Sequence, residues 1–243
     1  MGGTILHARE EFAQVLWAKG EKALALNIMK EVQALQKNLP ESAVQLCQIG
    51  EWISLARLNS PMEIVDQYFE KAIKSLDSMK HPEALGEISY SYAKFADQQY
   101  HKMEDSEEMK KLRKSTKRLQ AEIKGASKLA KVDGGAKRLV ALKERLFEED
   151  NNRLESLSKL QTRYLSSSLT MYLSSLSHYD KADEVIFRFV SLWLEHHYDD
   201  ALTKGISAHL NSVPTHKFIP VANQLSARLS KESSSEFQKP WVI

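Results

Sequence analysis

Nine basic residues face a single acid, Glu122, between positions 110 and 131 of this 243-residue chain, which carries a net charge of only +2. At 3.6 residues per turn, Lys110, Lys114, Lys117, Lys124, Lys128 and Lys131 fall on one face of a helix, interrupted by Ala121, while Leu112, Leu119, Ile123 and Ala126 lie opposite. Two chemistries fit such a stripe. One is the solvated side of a long amphipathic helix; the other is electrostatic docking to an acidic protein surface or a phosphate backbone. Aromatic residues do not interleave with the lysines, so base stacking on single strands is not expected, and neither is direct nucleic-acid binding beyond non-specific contact. The functional reading of the stripe is an electrostatic dock for acidic protein surface.

Other residues that could do chemistry lack their partners. Cys47 is the sole cysteine and has no evident His or Asn to activate it, so it reads as a small core thiol in a reducing compartment. His196 and His197 are adjacent, which on a helix points their rings about 100° apart and argues against joint ligation. They fit a helix C-terminus, where the dipole favours them. Asp133-Gly134-Gly135 reads as a turn between helices rather than a metal loop. Glycine-rich phosphate loops, H-E-x-x-H, paired cysteines and the kinase H-R-D and D-F-G signatures are absent. The expectation is therefore no catalytic, cofactor-binding or metal-ligating residue in this chain.

The elements that carry these residues are helices. Hydrophobic content is 42% and charged content 27%, ordinary for a folded protein. Charges interrupt every long apolar stretch, so no membrane-crossing helix is expected, and no signal sequence is visible at Met1-Gly2-Gly3. Glu83 to Val213 is free of proline, and such a stretch lacks the punctuation that sheets need.

Residues 1–80 read as TPR-like helical hairpins. The first helix, Ile5 to Lys19, ends at Gly20. The second, Glu21 to Lys37, presents Leu24, Ile28, Val32 and Leu35 on one face. A third, Glu41 to Leu58, follows the break at Pro40, and a fourth, capped by Ser60 with Pro61 at its first position, runs through Met79. Residues 81–180 read as a long antiparallel helical hairpin, with a break expected at Glu104–Ser106 or Gly125 and the turn at Asp133–Gly135. Residues 181–229 read as a helix from Lys181 to His197 buried on most sides, a short helix from Asp199 to Leu210, a loop from Asn211 to Lys217 and a last helix to Leu229. Residues 230–243 form a polar tail. The fold class is all-α: a TPR-like or HEAT-like helical-repeat solenoid with a long hairpin.

Several blocks carry a resemblance. Arg188-Phe-Val-Ser-Leu-Trp-Leu-Glu195, then Val213-Pro-Thr-His-Lys-Phe-Ile-Pro220, then Gln224-Leu-Ser-Ala-Arg-Leu229 resemble the FAT domain, the helical-repeat region preceding the catalytic domain of phosphatidylinositol-3-kinase-related protein kinases. Val15-Leu-Trp-Ala-Lys-Gly-Glu21 with Leu24-Ala-Leu26, and Tyr92-Ala-Lys-Phe-Ala-Asp-Gln-Gln-Tyr100, are similar to the ataxia-telangiectasia-mutated (ATM) and telomere-maintenance branch of that family. The basic stripe is not among the matching blocks. The resemblance implies a parent that is a nuclear serine/threonine kinase acting in the DNA damage response, DNA repair and telomere maintenance, directed to Ser/Thr-Gln sites. It implies that ATP and a divalent metal belong to the parent's kinase domain and none to this chain. It also implies that the FAT segment packs around that domain and neighbouring repeats and supports a homodimer. The chain ends at Ile243, and Pro240-Trp-Val-Ile243 does not continue the family's helix, so a fragment or truncated product is expected. The alternative reading is an independent TPR-like adaptor that binds a peptide or protein partner.

Overall fold

Proline and glycine set the helix ends. Pro40 and Pro61 each occupy a first helical position, where a missing N–H costs nothing, and Gly20 adopts φ +91°, which its lack of a Cβ permits. The structure is a computed structural model and describes residues 2–36, 39–76, 80–129, 134–179, 183–196 and 199–226. Among these the order is α1 (Gly2–Ala18), α2 (Lys22–Leu35), α3 (Pro40–Ala56), α4 (Pro61–Ile64), a π-helical turn (Val65–Phe69) and α5 (Glu70–Lys74). There follow α6 (Pro82–Glu104), α7 (Glu107–Leu129), α8 (Gly134–His178), α9 (Asp183–Glu195), α10 (Asp200–Leu210) and a 3-10 helix (Thr215–Val221). No strand occurs among the described residues, and the all-α solenoid expectation holds.

Two compact units divide the chain: residues 1–95 with 166–243, and residues 96–165. In the first, α1 packs on α2, α2 on α3, and α3 on the π turn and α5. Its core includes Met29, Ile49, Ile53, Ile64, Phe69, Ile88, Leu169, Leu173, Leu176, Ile186 and Phe189. Aromatic rings join successive helices. Trp17 of α1 stacks on Trp52 of α3 with centroids 4.6 Å apart, and Phe69 stacks on Tyr92 of α6 at 5.3 Å. Face-offset ring pairs of this kind add to the area they bury. In the second unit, Met109, Leu112 and Leu119 of α7 and Val140, Tyr164 and Leu165 of α8 are buried, with Ala96 and Tyr100 from the end of α6.

Several expectations need correction. The inward face of α2 is Ala25, Leu26, Met29 and Val32, whereas Leu24 is 49% exposed and Leu35 is exposed too. Because α2 meets both α1 and α3, its buried stripe is rotated by one residue, and the small Ala25 occupies the close approach. The helix from Pro61 is not continuous: the Glu70 N–H donates to the Val65 carbonyl, five residues back, so a π turn separates α4 from α5.

Elsewhere the long stretch after Pro82 breaks at Asp105–Ser106, where the Ser106 hydroxyl accepts from Met109 N–H, and Gly125 stays inside α7. The helix around Phe187 is buried except along one strip. Glu184, Phe187, Ser191 and Glu195 form its outer face, Phe187 at 43% exposure, while Val185, Ile186, Phe189, Val190, Leu192 and Trp193 point inward. The expected loop from Asn211 to Lys217 gives way to the 3-10 helix at Thr215, with Pro220 inside it. The caps expected from Asp180, and positions Asp133, His197 and Leu229, lie outside the described residues.

Candidate functional site

The basic stripe lies on α7. Its helical run starts from an acidic first turn, Glu107-Glu108, which complements the dipole. Met109, Leu112, Thr116 and Leu119 are buried, and they turn the opposite side of the helix to water. Lys110, Lys114, Lys117 and Lys124 are all exposed there, together with Lys111, Arg113 and Arg118. Lys128 lies on α7, and Lys131 lies outside the described residues. The sequence therefore placed four of its six lysines on one observed face, and it omitted Lys111, Arg113 and Arg118, which widen that face.

Side-chain bonds across the second unit fix the rotation of α7 against α8. Thr116 Oγ1 donates to the Leu112 carbonyl at 3.0 Å, satisfying a buried hydroxyl within the helix. Ser115 Oγ donates to Asp150 Oδ2 at 2.6 Å, Lys143 Nζ donates to Glu122 Oε2 at 2.9 Å, and Arg153 pairs with Glu108. Glu122 also meets Arg118 Nε at 3.6 Å. The hydrogen bond and charge of Lys143, with the charge of Arg118 behind it, hold the Glu122 carboxyl below its ordinary range. The one acid of the stripe is thus spent on the α7–α8 seam. Lys110 is matched by Glu107 at 3.4 Å. Lys111, Arg113, Lys114 and Lys117 make no ion pair among the described residues, so their field is turned to solvent and available for an anionic partner.

The remaining candidates are structural. Cys47 is buried in α3, and burial together with the nearby Glu51 charge pushes its thiol far up, so it stays protonated and is no nucleophile. Ser91 of α6 hydrogen-bonds both Cys47 and Glu51. Burial raises the Glu51 carboxyl too, against the opposing pull of Ser91 and Lys94. This half-buried cluster escaped the sequence, since Glu51 and Ser91 are forty positions apart and nothing in spacing joins them. No group of three or more His, Cys, Asp or Glu suited to a metal ion occurs among the described residues.

Two of the blocks that carry the resemblance, Arg188–Glu195 and Val213–Pro220, pack together in the first unit. Phe189 and Trp193 stack at 5.8 Å within α9, and the 3-10 helix packs on α9. Val213 and Val221 are buried at either end of the proline-bounded block, and Lys217 Nζ donates to the Tyr179 carbonyl at 3.3 Å. Asp199 caps α10 by accepting from the N–H groups of Ala201 and Leu202.

No family model matches this chain. It is 30% identical over 246 residues to the serine/threonine-protein kinase tel1 of Neurospora crassa, a match covering 92% of this chain and 8% of that protein. A solved structure described as the FAT and kinase domain of CtTel1 superposes with a TM-score of 0.72 at 27% identity, covering 92% of this chain and 15% of the other. A complete CtTel1 dimer with C2 symmetry superposes equally well, at 26% identity. The chain spans only 8–9% of the length of the curated relatives it matches.

Proposed function

This chain is homologous to one helical segment of the Tel1/ATM-like serine/threonine kinases, and from that premise we propose that it acts as a FAT-type scaffold. In this reading it packs around a kinase domain, stacks against neighbouring repeats and supports a homodimer, within a nuclear kinase of DNA-damage signalling. ATP, its metal and the phosphoryl transfer belong to the kinase domain, and this chain supplies shape and contact surface. The observation that carries the reading is the match to the FAT and kinase domain of CtTel1, which extends over 92% of this chain. The packed set of α9, the 3-10 helix and Tyr179 supports it, because two of the blocks that resemble the FAT domain meet there.

The test is co-expression with the kinase domain of a Tel1 relative such as that of Neurospora crassa. Co-elution of the two chains, lost when the exposed Phe187 on α9 is replaced by Glu or when the α7 lysines are reversed, supports the scaffold. Two chains that elute apart at micromolar concentration overturn it. The chain alone is expected neither to bind ATP nor to phosphorylate a Ser-Gln peptide. Turnover by purified chain would place catalysis where the reading allows none.

A further inference from the structure

One side of the α1–α2 hairpin is apolar and bare among the described residues. Ile5, Phe12 and Val15 of α1 and Leu24 and Leu35 of α2 are 48–65% exposed. A single ion pair fixes the level of the two antiparallel helices: Arg9 Nη2 donates to Glu31 Oε2 at 2.6 Å. Ile5 stands four residues before Arg9, Phe12 three after and Leu16 seven after, so all three lie on the side of α1 that Arg9 occupies. Leu24, Ile28 and Leu35 stand seven before, three before and four after Glu31, and share its side of α2. Along the hairpin, Ile5 is level with Leu35, Phe12 with Ile28 and Leu16 with Leu24. The other side is the covered one. There Glu10 accepts from Gln45, Trp17 stacks on Trp52 and Gln33 donates to Ser42, all three partners being on α3.

We propose that this face is the contact of a symmetric dimer, in which the α1–α2 hairpins of two copies of this chain close into a four-helix bundle. Width selects the form of the occupant: the face is two helices broad, and a second hairpin is the smallest element that covers both. Charge selects which hairpin. In a chain that is 27% charged, Arg9 and Glu31 within the face neutralise each other, so the face favours a partner as neutral as itself. Its two outer edges carry opposite signs. Glu11 lies midway between Arg9 and Ala13, and Lys30 midway between Ile28 and Val32, residues that face across the hairpin, so each points to the far edge of its own helix. Both are exposed; Glu11 meets His7 of its own helix at 3.4 Å, and Lys30 makes no ion pair among the described residues. By the register of the Arg9–Glu31 pair, the two stand one residue, about 1.5 Å, from level. A twofold axis parallel to the helices lays α1 of one copy over α2 of the other and brings Glu11 beside the partner's Lys30, twice over. An axis across the helices would stack the two acidic edges on one another. The bare parts of the five apolar side chains, with the exposed Ala8 and Ala34 beside them, come to on the order of 600 Å² per copy, close to the roughly 800 Å² per partner of a standard interface. The proposal stands whether or not the segment scaffolds a kinase, since it rests on this hairpin alone.

Sedimentation equilibrium of the 243-residue chain between about 1 and 100 μM tests it. The expected result is reversible self-association to twice the chain mass. Phe12→Glu with Leu35→Glu is expected to raise the dissociation constant about tenfold or more, with the helical circular dichroism signal unchanged because both side chains are at the surface. Glu11→Lys and Lys30→Glu are each expected to weaken the dimer about threefold or more, since each places like charges at both edges. Mixing the Glu11→Lys chain with the Lys30→Glu chain is expected to restore dimers between the two variants, because each then offers the sign that the other lacks. A folding defect could not produce that rescue. A chain monomeric at about 100 μM would leave the face to another covering, such as a further hairpin of a longer chain, and overturn the proposal. So would a dimer indifferent to Phe12→Glu with Leu35→Glu, whose contact lies elsewhere, or a mixture no more dimeric than its two components.

Discussion

Gly50 of α3 lies directly against Tyr68 of the π turn: a Cβ placed on Gly50 would stand 2.7 Å from the Tyr68 Cβ. That distance leaves no room for a methyl group, and the obstacle is the root of a side chain rather than its flexible end. Gly50→Ala is expected to destabilise the chain by about 1–3 kcal/mol through overpacking, although alanine is the better helix former. Urea denaturation would measure it. An unchanged midpoint would mean that α3 and the π turn are free to move apart.

Ser60 and Glu63 form a reciprocal cap at the start of α4. The Ser60 hydroxyl accepts from the Glu63 N–H at 3.3 Å, and Glu63 Oε2 accepts from the Ser60 N–H at 2.9 Å. Ser60→Ala is expected to cost about 1 kcal/mol, and Ser60→Asp much less, since aspartate also caps. The Ser60 N–H, and after it the Ser60 hydroxyl donating to Oε2 at 3.0 Å, hold the Glu63 carboxyl below its ordinary value. A nuclear magnetic resonance titration should find Glu63 shifted back up in the alanine variant.

Glu51 predicts a pH dependence of the opposite sense to most carboxylates. Burial raises it above 4.5 in the folded chain, so the folded state holds its proton more tightly than the unfolded state does. Its contribution is fully present below pH 4.5 and is lost as pH rises through the raised folded value. Glu51→Gln should therefore be more stable than the parent chain near neutral pH and lose that advantage toward pH 4.5. Chemical denaturation at stepped pH values would show it. A variant equally or less stable at neutral pH would mean that the Ser91 hydrogen bond and the Lys94 charge outweigh burial.

Hydrogen exchange should separate two segments of the resemblance blocks. Val185 to Trp193 buries six of its nine residues on a full helix, whereas residues 222–226 are exposed apart from the half-buried Leu225. Amides at 222–226 are expected to exchange far faster than those of α9, and residues of a following repeat, if appended, to slow them. Equal protection would show that the segment after Val221 needs no neighbour.

Helix identity and most helix ends were legible, because Pro40, Pro61 and Gly20 act locally through backbone chemistry that a sequence displays directly. Ser60 with Pro61 was legible for the same reason. Which face of a helix turns inward was harder. Leu24 and Leu35 look like core and are exposed, while Ala25 looks neutral and is fully buried, because α2 is clamped between two helices and the closer approach selects the smaller residue. On α7 the charge contrast is so strong that Lys110, Lys114, Lys117 and Lys124 could be placed correctly. Ile5, Phe12 and Val15 were missed as a surface because apolar residues on a helix read as core until the neighbouring helix is seen to pass them by. The π turn left no mark, since it depends on the fit of Phe69 and Tyr68 against α3 and α6 rather than on any residue type.

That π turn also changes how the chain is best compared with its relatives. A π turn is an α-helix holding one surplus residue, so its position is a count as well as a conformation. Removing Asp66 or Gln67, both exposed, would leave a plain helix whose register from Glu70 onward matches the present one and whose buried Phe69 and Ala72 keep their places. A relative one residue shorter between Pro61 and Lys74 would therefore be equivalent in structure, and its alignment gap belongs inside a helix. The rule that gaps fall in loops would set it in the wrong place and shift every residue of α4 by one.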